Sequence, residues 1–172
     1  MGKSCLEKLN QSITVGCTIP QVGIKDIYLM HADEVTLTLD VGSNVTAATF
    51  ADGNKSYKIE GYKQNIQLTT SVLSTDVSVK LAASIMFKMP STNTYLMKVI
   101  LSGRYYVLVV RNSGLPVLVG VQAPLECSGF DYDSNGGAGL ATVTLSAPEG
   151  SGGNYLSGIT TPAVASIISK SV

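Results

Sequence analysis

Residues 77–89 read VSVKLAASIMFKM, and the order of these thirteen residues decides the fold class. Val77, Val79, Leu81, Ala83, Ile85, Phe87 and Met89 share one parity, while Ser78, Lys80, Ala82, Ser84, Met86 and Lys88 share the other. A period of two sends alternate side chains to opposite faces of an extended chain, so the stretch is a strand with one buried face. Ordinary strands run to about 5–6 residues. One of twice that length suits a sheet that is rolled into a barrel or carried across subunits.

The same alternation recurs where Val35, Leu37, Leu39 and Val41 interleave with Thr36, Thr38 and Asp40. Further strands are expected at 12–19, 56–60, 64–73, 104–111, 115–121 and 140–146. The pair 104–111 and 115–121 reads as a hairpin, because Asn112, Ser113 and Gly114 supply turn residues between two β-branched and aromatic runs. One helix is expected over about Thr92–Leu101, with Pro90 closing the preceding strand, Ser91 or Thr92 as cap and Gly103 as stop. Asp131–Gly139 and Pro148–Gly153 are loops by composition. Pro162–Val172 is a short apolar patch without a sequence neighbour to bury it, which suits a docked or swapped tail. That tail and the Asp131–Gly139 loop are expected to order only on assembly.

The 172 residues fit one domain, residues 1–172, with an N-terminal segment of about 1–20 and a C-terminal tail of about 160–172. Only 14% of residues are charged, against a typical ~25% for globular chains. A surface so short of charge implies that partners cover much of it. Twelve basic residues balance twelve acidic ones, so a strong ionic grip on nucleic acid is not expected. Residues 1–111 hold eleven bases and eight acids, net +3, and residues 112–172 hold one base and four acids, net −3. The two halves therefore suit head-to-tail contact, though chance scatter in a sparsely charged chain reads equally well. No apolar run reaches the ~20 residues needed to span a bilayer, so membrane insertion is not expected. Residues 2–11 lack the apolar core of a secretory signal. Cys5, Cys17 and Cys127 are odd in number, which fits reduced, idle thiols in a cytoplasmic setting.

No motif marks an enzyme. His31 is the one histidine and no Gly-x-Ser-x-Gly elbow accompanies it, so it reads as structural or solvent-facing. One His and three widely spaced Cys match no zinc pattern. Asp131, Asp133, Asn135 and Gly136 match the first half of a calcium loop, but Thr142 stands where the bidentate Glu belongs. Those residues equally compose an ordinary turn, and no cofactor is expected. Nothing singles out a pair of carboxylates among the twelve acids.

Three passages carry a resemblance. Residues 22–29 (VGIKDIYL) are followed by Asp33, Glu34 and Val35; residues 101–114 (LSGRYYVLVVRNSG) lead to 117–120 (VLVG), Pro124 and Leu125; and residues 139–146 (GLATVTLS) come last. In order and texture, over about two-thirds of the chain, this resembles the tail tube proteins of long-tailed bacteriophages of Bacteroides-type hosts. The resemblance implies a mainly β fold, a β-sandwich or rolled, barrel-like sheet with one flanking α-helix and long inter-subunit loops. It implies a non-enzymatic virion protein whose hexameric rings stack into the tube that conducts DNA. Inner sheets would join between subunits around a channel, and loops and arms would bridge rings. Its partners would be further copies of itself, a tape-measure protein, a tail terminator and, transiently and without sequence preference, double-stranded DNA. It would reside in the virion tail and, during assembly, in the host cytoplasm. Ser78, Lys80, Ser84 and Lys88 are the channel- or neighbour-facing candidates; Asp131, Asp133, Ile167 and Ile168 are the inter-subunit candidates. Such channels are usually acidic, and Lys80 and Lys88 depart from that. A capsid decoration or head–tail joining protein is the alternative, and a β-sandwich adhesion or carbohydrate-binding module a more distant one.

Overall fold

The computed structural model describes residues 23–61, 65–72, 79–88, 94–112, 114–132, 140–148 and 156–172. The expected strand at 12–19, the residue Ser78 and most of the two composition-based loops lie outside them. β1 (Ile24–His31) passes through a 3-10 turn (Ala32–Glu34) into the hairpin of β2 (Val35–Leu39) and β3 (Val45–Phe50). β4 (Tyr57–Ile59), β5 (Ile66–Val72) and β6 (Val79–Lys88) follow, then α1 (Thr94–Ser102). β7 (Arg104–Arg111), β8 (Pro116–Val119), β9 (Leu125–Tyr132), β10 (Leu140–Ser146), β11 (Ser157–Gly158) and α2 (Thr161–Ser169) complete the chain.

The protein is mainly β. One nine-stranded antiparallel sheet runs β11-β8-β7-β9-β10-β6-β5, with β1 and β4 added along the other side of β7. β2 and β3 form a separate two-stranded sheet. The 77–89 alternation is realised in β6, which pairs with β5 over Ile66↔Ile85 to Val72↔Val79 and with β10 over Leu140↔Lys88 to Ser146↔Ala82. Ile85, on the apolar parity, is 1% exposed, while Ser84 and Met86 beside it are half-buried.

β1, β7 and β8 are covered on both faces, which is why they read as apolar runs rather than alternations. One face gathers Ile27, Leu29, Val107, Val109 and Val119 with Ile66, Ile85, Val143 and Leu145 from the far strands. The other gathers Tyr28, Met30, Leu108 and Leu118 under the β2–β3 hairpin and α2. Laid flat, β1 and β5 would stand about 24 Å apart at ~4.8 Å per strand. Yet Gly61, just past β4, lies against the Ile66 side chain of β5, so the sheet rolls and brings its two ends together. Among the described residues no pairing joins β4 to β5, so a closed barrel is not found.

Two corrections concern helices. The expected single helix is present as α1, but a second one, α2, occupies the presumed unpartnered tail. Ala163 and Ile167 are 1% and 0% exposed, packed in the chain's own core against β3 and its neighbours. Thr160 Oγ1 donates to the Thr46 carbonyl at 3.1 Å and Ser166 Oγ to the Ala48 carbonyl at 3.1 Å. The tail therefore has a partner within its own chain, one that lies more than a hundred residues earlier and leaves no local signal.

The α1–β7 junction shows how tightly one glycine is held. Tyr105 folds back so that its phenol donates to the Val99 carbonyl at 2.6 Å, an acceptor shared with the Gly103 N–H at 3.0 Å. The ring then occupies the space where a Gly103 Cβ would stand. Gly103→Ala is expected to cost about 1–3 kcal/mol by overpacking, read by urea unfolding. Ser102→Ala, next door and exposed, should stay within about 0.5 kcal/mol. Equal costs at the two positions would contradict the packing described.

Candidate functional site

Among the described residues, chemically active side chains are few and do not converge. His31, at the end of β1, is half-buried and its ring meets those of Tyr105 and Tyr57 at centroid distances of 5.0 and 6.2 Å. This is edge and tilted packing at the rim of the core, in keeping with a structural histidine. Beside it Arg104 Nη2 donates to Asp33 Oδ1 at 3.0 Å, with both side chains largely exposed. Among the described residues no group of three or more His, Cys, Asp or Glu could hold a metal. Asp131 is exposed on β9, while Asp133 and Asn135 lie outside the described residues.

Among the described residues Tyr105 is the strongly perturbed group: burial pushes its phenol up to about 12, from an ordinary ~10. The folded state then holds a proton that the unfolded chain releases, so this contribution to stability is complete below pH ~10 and is lost as pH rises toward about 12. An absorbance titration should find the Tyr105 phenol ionising only with alkaline unfolding, and Tyr105→Phe should remove that late step. Ionisation of all eight tyrosines near pH ~10 in the folded protein would contradict it.

The feature that stands out is an edge, not a pocket. β5, β6, β10 and β9 form four consecutive strands of the sheet. Their outward face carries cross-strand rows in which Gly129, Thr144, Ser84 and Gln67 align, and Asp131, Thr142 and Met86 align beside them. Hydroxyls and small groups dominate it. β5 is terminal among the described strands: IQLTTSV, with no charge, no Pro, no Gly and seven uninterrupted pairs to β6. Proteins normally blunt such edges with charge, proline or a bulge. β9 is the other side of this unit. β7 pairs with it only at Arg104↔Glu126 and Tyr105↔Leu125, so Cys127–Tyr132 runs on past β7, with a bulge near Ser128.

The contrast with β4 is instructive. There the chain caps its own edge: Ser56 N–H donates to Lys170 O at 3.2 Å, Val172 N–H to Ser56 O at 3.1 Å, and the buried Ser56 Oγ to Ile167 O at 2.7 Å. On β4, Lys58 Nζ sits 3.0 Å from Asp26, and this hydrogen-bonded carboxylate raises the lysine's pKa.

Of the residues expected to face a channel or neighbour, Ser84 lies on the outward hydroxyl face. Lys80 and Lys88 occupy β6 opposite Ser71 and Leu140, though their side chains are outside the described set, as is all of Ser78. Ile168 is 41% exposed, but Ile167 belongs to the chain's own core and is not an outward contact, since the 3.6-residue turn of α2 separates the two. The edges themselves went unread in the sequence. The absence of any charge from Asn65 to Thr75 is the signal that could have found β5.

No family model, curated protein or solved structure matches the chain.

Proposed function

We propose that this chain is a virion structural protein, a tail-tube subunit whose rings stack into the conduit for phage DNA. The observation that supports this most is the pair of edges on the β5-β6-β10-β9 unit. Four antiparallel strands are an even number, so β9 of one copy and β5 of the next run in opposite directions when copies are related by rotation. The ladder continues without a parallel mismatch, and a contact between unlike edges closes into a ring when the rotation between copies is a whole fraction of a turn. Edge pairing between copies also accounts for a β5 whose seven residues include no charge, proline or glycine.

In such a ring the row Thr144, Ser84 and Gln67 lines the channel, with Lys80 and Lys88 on the same parity of β6 as Ser84 and Asp131 in the row beside it. Hexameric rings, a tape-measure protein, a terminator and transient DNA contact belong to this same reading, as does residence in the virion tail. Among the described residues no helix is long and apolar enough to cross a membrane. Negative-stain microscopy of the concentrated protein tests the proposal. Rings or tubes with a central channel are expected; discrete oligomers without one would favour a head–tail joining role, and monomers alone would overturn it.

A further inference from the structure

β2 is an edge strand whose apolar side is only partly covered. Among the described residues it pairs with β3 alone, and two strands fall short of the three that make a sheet stable by itself. Glu34 O accepts from the Ala51 N–H at 3.0 Å and the Asp40 N–H donates to Asn44 O at 2.9 Å, so the even-numbered backbone groups face β3. Alternation turns the backbone groups of Val35, Leu37 and Leu39 to the open edge. The side chains alternate as well. Val35 is buried, Leu37 half-buried and Leu39 46% exposed, while Thr36 and Thr38 are exposed on the other side. Cover over the apolar side of β2 therefore runs out toward Leu39.

The chain ahead of β1 carries a matching pattern. Residues 12–19 (SITVGCTI) alternate Ile13, Val15, Cys17 and Ile19 with Ser12, Thr14, Gly16 and Thr18, without a charge, and Pro20 ends the run. They lie outside the described residues, but the point where they join the fold is fixed. Gly23 O accepts from the Asn112 N–H at 3.1 Å, and a φ of 111° at Gly23 bends the chain out of the line of β1. The far end of β2 lies at nearly the same level. Leu39 pairs with Val45, Val45 bridges Ile159, and the adjacent Gly158 leads across Val117 and Val109 to Ile27, three residues into β1. From Ile19 to Ile24 the chain can reach about 17 Å, enough to cross the ~10 Å between packed layers. A strand antiparallel to β2 would put Ile19 at the opposite end, about 24 Å off and out of reach.

We propose that residues 12–19 dock along the open edge of β2 in their own chain, parallel to it, as a third strand of the small sheet. Ile13, Val15, Cys17 and Ile19 then extend the apolar side begun by Leu37 and Leu39, and Thr14 and Thr18 continue the row of Thr36 and Thr38. The four-residue linker, residues 20–23, sets an effective concentration of about millimolar, which favours the chain's own segment over a neighbour's. β5, the other uncharged edge, has less to cover, because Ile66 is already buried and Leu68 packs on the core. The docking goes beyond the ring reading and does not depend on it.

The test uses the full chain with Cys5 and Cys127 replaced by Ser, at a dilution that prevents assembly. The Leu37 and Leu39 amides should be protected from exchange, and the Cys17 thiol should react with iodoacetamide at least about tenfold more slowly than in urea. Val15→Asp, on the apolar parity, should free all three while the β7 amides stay protected, whereas Thr14→Asp should leave them slow. Fast exchange in the wild type, or equal behaviour of the two variants, would overturn the docking and leave the ring reading standing. Protection that appears only on concentrating the protein would assign the edge to a neighbouring copy's segment and overturn it too. Protection of Ile66–Val72 in the dilute chain, lost in Val15→Asp, would move the segment to β5 and overturn both.

Discussion

Ile167→Ala should destabilise the isolated protein by about 2–5 kcal/mol, as truncation of a fully buried side chain does. The same change at Ile168 should stay near 0.5 kcal/mol or below, the usual range for surface positions. The difference arises because Ile167 is 0% exposed among Tyr28, Met30, Val45 and Leu108, while its neighbour turns outward. Removing residues 161–172 should be worse still. It would uncover that cluster, and it would leave the buried Ser56 hydroxyl without the Ile167 carbonyl that accepts from it. Urea unfolding of the two variants in dilute, unassembled protein is the measurement. Equal stability of Ile167→Ala and wild type would mean that α2 is a detachable arm.

Gln67→Lys should leave the fold intact and abolish assembly. Gln67 is exposed on β5, opposite Ser84, so the substitution removes no buried contact. A lysine on an edge strand is one device by which β proteins reject a neighbouring strand. If six such seams must form to close a ring, a modest penalty at each multiplies into loss of the assembly. Unchanged unfolding together with a monomeric mass by light scattering is the expected result. Tubes of normal length from Gln67→Lys would place the seam elsewhere.

How much of this was legible beforehand follows from burial. Strands with one covered face announced themselves: β6, β10 and the outer part of β2 alternate, and β7–β8 was marked by its Asn112–Gly114 turn. α1 was found within two residues from its flanking Pro90 and Gly103. β1, covered on both faces, shows no alternation. β3 and β9 carry Ala, Ser and Gly, which pack closely yet score as loop. α2 was missed because Thr161, Pro162 and Ser166 dilute its helical pattern, and because the surface it covers is assembled from β1, β3 and β7 by long-range folding. The terminal place of β5 was hidden for the same reason. Whether a strand is terminal depends on the whole pairing order, which no local window contains.

The central proposal is that copies join through β5 and the stretch of β9 that runs past β7, and amide hydrogen exchange reads those two strands directly. In dilute monomer, amides within Ile66–Val72 that point away from β6, and those of Cys127–Tyr132 that point away from β10, should exchange quickly. In assembled protein both sets should slow together, while the self-capped β4 stays unchanged. Exchange at β5 and β9 that is identical in dilute and assembled protein would contradict the account.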